Sequence, residues 1–183
     1  MDKDIREGRI WILQDRGGKL IEDIDTDQIY HNAHLHITDV AQMGQFALGN
    51  LEGWRDFPGK SREGDILVAG RNFGAGSSRQ QAVDCFIALK VGAVLSPSFS
   101  AIYFRNAVNS GFPVLKIRDL ESLVAGKSLM TGDVIQCNVR TGEAKNLTRN
   151  ISFTIEPMSP VQHEIFMAGD VFKYGEKLAK CIR

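Results

Sequence analysis

Three short apolar runs, set apart by helix-length segments, constrain this chain more than any other feature. Ile66-Leu67-Val68-Ala69-Gly70 is a run closed by glycine, as expected of a buried strand. A glycine-rich loop follows, and then Ala82–Leu89, apolar nearly all round, which reads as a helix buried on most sides. Ala93-Val94-Leu95 is the next strand, Phe99–Asn109 a second helix, and Pro113–Ile117 a third strand. Strand, helix, strand, helix, strand at this spacing is a βαβαβ unit, which requires a parallel sheet with helices packed against it.

The flanks are less regular. Gly8–Leu13 reads as a strand running into the turn Asp15-Arg16-Gly17-Gly18. Ile24–Tyr30 carries acids too closely spaced for a core element. Residues 31–62 read as irregular, with one helical interlude near Thr38–Leu48 that Thr38 or Asp39 could cap. Asp133–Val139 and Ile151–Ile155 alternate around Thr141-Gly142-Glu143, which predicts a β-hairpin. Ser159-Pro160 and Gly169 bracket a short capped helix. The expectation is one α/β domain spanning residues 1–183, with a parallel sheet core flanked by helices and an added hairpin region.

Composition excludes several function classes. With 183 residues and 43 % hydrophobic content, disorder is not the main state. Lys+Arg 22 against Asp+Glu 22 leaves no basic excess for nucleic acid. No apolar run reaches membrane-span length, and Met1-Asp2-Lys3-Asp4 has no signal-peptide core, so the chain reads as soluble and cytoplasmic. Cys85, Cys137 and Cys181 are odd in number and far apart, which fits neither a disulfide framework nor a metal or cluster ligand set.

The strongest chemical signal is Gly70-Arg71-Asn72-Phe73-Gly74-Ala75-Gly76-Ser77-Ser78-Arg79, between a strand and a helix. Glycines allow close backbone approach to a ligand. A helix start offers unpaired N–H groups to an anion, and Arg79 can grip a carboxylate or phosphate bidentately. The segment is neither a P-loop nor a dinucleotide fingerprint. Two readings stay open: a polyanion site with one reactive serine, or plain capping through Ser77-x-x-Gln80 or Ser78-x-x-Gln81.

Asp23, Asp25 and Asp27 would share a face in an extended segment. That pattern could bind a cation, orient a neighbouring group or form turns, and turns are the commonest use. His31-x-x-His34-x-His36 fits a loop facing solvent or ligand better than a metal site, because no further ligand supports one. His163 reads as structural. Arg105, mid-helix among apolar neighbours, calls for a buried partner or a site to serve.

Asp25-Thr26-Asp27-Gln28-Ile29, Asn72-Phe73-Gly74-x-Gly76-Ser77-Ser78-Arg79, Phe104-Arg105-Asn106-Ala107-x-Asn109-x-Gly111 and Glu164-Ile165-x-x-Ala168-Gly169 together resemble the small subunit of 3-isopropylmalate dehydratase and its homoaconitase relatives. This is the swivelling β/β/α domain of the aconitase superfamily, and the match runs in order over nearly the whole chain. The resemblance implies a subunit that works with a separate large subunit, as a heterodimer or heterotetramer, with no cofactor or metal on this chain and a [4Fe–4S] cluster on the partner. It implies a hydro-lyase that moves a hydroxyl between adjacent carbons of a hydroxy-di- or tricarboxylic acid, with 3-isopropylmalate or a related malate as substrate.

By the same resemblance Ser77 is the catalytic base, and Ser78 and Arg79 bind substrate carboxylate. Thr26 and Asp27 support substrate binding, and Asp25, Gly74, Gly76 and Arg105 shape the site. Ala75 stands where relatives often have cysteine, Gln80-Gln81 replaces Glu-His, and residues 30–36 differ almost throughout. Relatives discriminate substrates in that loop, and His36 falls where an apolar residue suits isopropylmalate and an arginine suits an extra carboxylate. The departures leave a second reading, a polyanion-binding or regulatory module that kept the fold without the chemistry.

Overall fold

A computed structural model describes residues 2–181, excluding the side chain of Cys181. The elements in chain order are β1 (Ile5–Ile12), α1 (Thr26–Ile29), α2 (Val40–Met43), α3 (Phe57–Lys60), β2 (Ile66–Val68), α4 (Gln81–Ala88), β3 (Ala93–Ser96) and α5 (Ala101–Asn109). There follow β4 (Val114–Lys116), α6 (Leu120–Ala125), β5 (Val134–Asn138), β6 (Glu143–Asn146), β7 (Ile151–Thr154), α7 (Pro160–Ala168) and α8 (Val171–Cys181). Among the described residues the strands form one sheet in the order β4-β3-β2-β1-β5-β6-β7.

The βαβαβ unit stands as expected, with β2, β3 and β4 parallel. The strand β1 extends this half, pairing Ile10, Trp11 and Ile12 in parallel with Ile66, Leu67 and Val68. Its first half, Ile5 to Arg9, runs antiparallel against β5. Alternation explains why the short runs are apolar throughout. Leu67 and Val94 point to one core, where Phe73, Phe86 and Tyr103 lie beneath α4 and α5. Ile66, Val68, Ala93 and Leu95 point to the other, closed by Leu120 and by Ile135, Cys137 and Ala144 as the sheet curls over. A strand buried on both faces has no room for polar side chains.

Several expectations are corrected. Turn Thr141-Gly142-Glu143 joins β5 to β6, not to Ile151–Ile155; β7 then pairs with β6, so the region is a three-stranded meander. The helical interlude shrinks to α2, capped by Asp39, and a 3-10 turn at Gly44–Phe46. The acidic segment does reach the core, because Ile24, Ile29 and Tyr30 are fully buried between the carboxylates. Helices α6 and α8 carry no expectation from the sequence. The capped helix near the end is α7, with Ser159 and Gln162 forming its capping box and Gly169 at φ 104° closing it. No helix among the described residues is long and apolar enough to cross a membrane.

Candidate functional site

The loop between β2 and α4 leaves the carboxyl end of a parallel strand, the usual place for ligand sites in such sheets. It is held by backbone stitching. Gly74 and Ala75 N–H groups both donate to the Ile24 carbonyl, at 2.8 and 3.1 Å, and Thr26 N–H donates to Ala75 O at 2.8 Å. Ser100 Oγ donates to Gly74 O at 2.5 Å. Gly74 and Gly76 have φ of 80° and 87°, a region that disfavours side chains. At Gly74 a Cβ would also fall 2.2 Å from the Tyr103 ring, so glycine is required twice over.

The capping expectation fails. Helix α4 begins at Gln81, and its cap residue Gln80 makes no side-chain cap bond. Ser77, Ser78 and Arg79 therefore precede the helix instead of forming its first turn. Ser77 and Ser78 are exposed. Thr26 Oγ1 donates to the Ser77 carbonyl at 2.9 Å, and Asn106 Nδ2 on α5 donates to Ser78 Oγ at 3.4 Å. Among the described residues, the N–H groups of Gly76, Ser77, Ser78, Arg79, Gln80 and Gln81 find no protein acceptor. Six consecutive N–H donors without a protein acceptor are available to an anion.

Arg79 turns back from the loop. Its Nη1 donates to Asp27 Oδ1 at 2.6 Å and to the Tyr30 carbonyl at 3.0 Å, and the side chain is only 15 % exposed. The Arg79 hydrogen bond holds the Asp27 carboxyl below its ordinary pKa. Asn32 N–H donates to Asp27 Oδ1 at 3.2 Å, and Asn50 Nδ2 donates to Asp27 Oδ2 at 3.1 Å.

The three acids do not share a face, because the chain turns at Asp25. Asp25 caps α1 and closes a capping box with Gln28. Asp23 sits at φ 52° and accepts from Asn72 Nδ2 at 2.7 Å. Of the three carboxylates, Asp27 is the one that meets Arg79. Thr26, Asp27, Ser77, Ser78 and Arg79 are thus brought together, and Asp25, Gly74 and Gly76 set the backbone that does it.

The side chains of two expected site residues, Arg105 and His36, make no hydrogen bond or ion pair among the described residues. Arg105 is exposed and has no buried partner among the described residues. It lines a separate cavity of about 460 Å³ with Val108, Lys116 and Val161. His36 is exposed on the turn after Asn32–His34. Its two neighbours are structural: His31 Nδ1 accepts from Ala33 N–H at 3.3 Å, and His34 stacks on Phe46 at 3.9 Å. His163 Nε2 meets Asp4 Oδ1 at 2.6 Å, tying α7 to the start of the chain.

Gln80 faces away from Arg79, with Nε2 donating to Asp84 Oδ1 and Ser110 Oγ at 2.8 Å each. Asn50 and the Tyr30 carbonyl were not among the residues singled out from the sequence. No local pattern marks either one. No group of three or more His, Cys, Asp or Glu side chains among the described residues is placed to hold a metal. Burial pushes the Cys137 thiol up to about 12 and the Cys85 thiol higher still, so neither is poised as a thiolate ligand.

The loop amides can therefore meet an anionic oxygen, and the Arg79 edge not used by Asp27 can meet a carboxylate. Residues 21–120 match the aconitase C-terminal domain. The chain is 36 % identical over 163 residues to the 3-isopropylmalate dehydratase small subunit of Caldicellulosiruptor saccharolyticus, covering 89 % of this chain and 90 % of the relative. It is 34 % identical to that of Moorella thermoacetica, covering 92 % and 98 %. A crystal structure of 3-isopropylmalate dehydratase from Methanocaldococcus jannaschii superposes with a TM-score of 0.83 at 29 % identity, covering 97 % of this chain and 96 % of that one. The loop, its paired arginine and these relatives lead to one conclusion: the chain belongs to the family of 3-isopropylmalate dehydratase small subunits, built on the aconitase C-terminal domain.

Proposed function

We propose that this chain is the small, swivelling subunit of a two-subunit hydro-lyase acting on 3-isopropylmalate or a related substituted malate. The observation that carries the reading is an exposed Ser77 hydroxyl among unanswered loop amides, one residue from Ser78 and two from an arginine held by Asp27. No ligand set for a cluster is offered among the described residues; on the family resemblance we assign the [4Fe–4S] cluster to the large subunit and derive no step through it.

On this chain the chemistry is proton transfer and charge stabilisation. Ser77 Oγ, as alkoxide, takes the proton from the carbon beside a carboxylate. The electron pair left on that carbon forms the C=C bond as the hydroxyl on the neighbouring carbon departs with its bonding pair as hydroxide, a departure that the partner's cluster, when bound, would ease as a Lewis acid. In the return step water adds with the opposite orientation, and Ser77 gives its proton to the carbon that had lost the hydroxyl. Negative charge grows on the substrate carboxylate during abstraction, so fixed donors aimed at it lower the barrier. Arg79 and the loop amides are those donors. They also stabilise the Ser77 alkoxide, without which a serine is a poor base.

The test is co-expression with the large subunit, anaerobic cluster reconstitution and an absorbance assay for the unsaturated intermediate. Ser77→Ala is expected to lower kcat at least about a thousandfold, within the range contributed by a positioned base, while the two subunits still co-purify. Near-normal turnover by the assembled variant would overturn the assignment.

A further inference from the structure

We propose that Asn50 is a positioning residue for carboxylate recognition: through Asp27 it fixes the direction in which Arg79 presents its free guanidinium edge to a substrate. The inference rests on reading Arg79 as the carboxylate-binding group.

A guanidinium grips a carboxylate through two parallel N–H groups, from either the Nη1/Nη2 edge or the Nε/Nη2 edge. Both N–H bonds of Nη1 are already engaged, by Asp27 Oδ1 and the Tyr30 carbonyl. The Nε/Nη2 edge is what remains. Asp27 governs how that edge is presented. If its carboxylate swung about its own axis, Oδ1 would leave Nη1, and the guanidinium would tilt together with its free edge. Two bonds oppose the swing: Asn32 N–H holds Oδ1 at 3.2 Å, and Asn50 Nδ2 holds Oδ2 at 3.1 Å. Asn50 thus fixes the plane of the Asp27 carboxylate, and through it the direction of the Nε/Nη2 edge of Arg79.

The turn that carries Asn50 is docked without help from that side chain. Leu48 is fully buried, takes φ 57° and donates its N–H to the Ile29 carbonyl at 2.8 Å. Changing Asn50 therefore alters a hydrogen bond and leaves the turn anchored. The charged and titratable groups facing Asp27 are Arg79 and His31, whose Nε2 lies 3.8 Å from Oδ2.

The experiment compares Asn50→Leu, Asn50→Asp and Asn50→Gln in the full chain assembled with the large subunit, using 3-isopropylmalate. Loss of a hydrogen bond to a charged, part-buried group predicts a KM about tenfold higher for Asn50→Leu with kcat within about twofold. Asn50→Asp sets a second carboxylate against Asp27, so its KM rises further and the acid limb of kcat/KM moves up in pH. Asn50→Gln keeps an amide donor and stays within about threefold of wild type.

A second readout does not need turnover: nitrogen-15 NMR of Arg79 in the isolated small subunit, titrated with malonate. Distinct Nη1 and Nη2 resonances that respond to malonate in wild type are expected to average in Asn50→Leu. An unchanged KM with unchanged resonances in Asn50→Leu overturns the proposal. So does an Asn50→Gln variant as impaired as Asn50→Leu, since that outcome reports packing and not the donor. A wild-type assembly with no activity on any malate would instead overturn the family-based function, while the resonances still decide the role of Asn50.

Discussion

Replacing Gly74 by alanine isolates how tightly the loop is built onto α5. The residue has φ 80°, and a Cβ there would lie 2.2 Å from Tyr103 Cγ and 2.4 Å from its Cβ. Tyr103 has nowhere to retreat, being 1 % exposed with its ring edge-on to Phe73 at 5.2 Å. Left-handed backbone costs a non-glycine residue about 1–2 kcal/mol, and overpacking a filled core costs about 1–3 kcal/mol more. The sum is about 2–5 kcal/mol, and at roughly 2–4 °C per kcal/mol for a chain of this size the melting temperature should fall by roughly 4–20 °C. Gly76→Ala is the matched control, with φ 87° but its nearest neighbour, Thr26 Oγ1, at 3.6 Å, so only the backbone contribution applies. Thermal unfolding of the isolated small subunit, followed by circular dichroism, reads both. A Gly74→Ala shift no larger than that of Gly76→Ala would refute the argument that Tyr103 sets the loop's position.

Two further predictions concern the neighbouring residues. The Asp27 carboxyl is held below its ordinary value by Arg79. Its stabilising contribution is therefore present above the unfolded pKa near 4 and is lost as pH falls through the folded value. The stability gap between wild type and Asp27→Asn should stay level, at about 1 kcal/mol for a part-buried pair whose carboxylate side chain is 32 % exposed, from pH 7 to 5 and close below about pH 4; urea titrations showing a gap that widens in acid would contradict this. His36→Leu should shift the ratio of kcat/KM between an alkyl-substituted and a carboxyl-substituted malate toward the alkyl substrate by about tenfold, and an unchanged ratio would remove His36 from the substrate site.

Much of the parallel half is written locally. Ile66-Leu67-Val68 and Ala93-Val94-Leu95 carry no polar residue because each strand serves two cores, and any reading of hydrophobic runs finds them. The strand β6 escapes such a reading because Glu143, Ala144, Lys145 and Asn146 are poor strand formers, with only Ala144 and Asn146 turned inward. The capping motifs at Ser77 and Ser78 mislead for a related reason. Local spacing allows them, but bonds from Ile24 and Thr26, some fifty residues away, hold the chain out of the helix as far as Ser77, and α4 begins only at Gln81. Ser77, Arg79 and Asp27 stand out by residue type and motif, whereas Asn50 acts through one long-range hydrogen bond to Asp27 and leaves no trace in its neighbours.

The division of labour along β1 bears on how the molecule is made. Its second half adds to β2 and its first half to β5, partners separated by more than a third of the length of the chain. A nascent polypeptide that has emerged only as far as β4 can assemble the parallel layers and the serine loop, yet its first strand still presents a bare row of amides and carbonyls to any passing extended segment. Only when residues 134–138 arrive is that border sealed, so synthesis passes through an interval in which the site can already exist and the molecule is still open to mispairing.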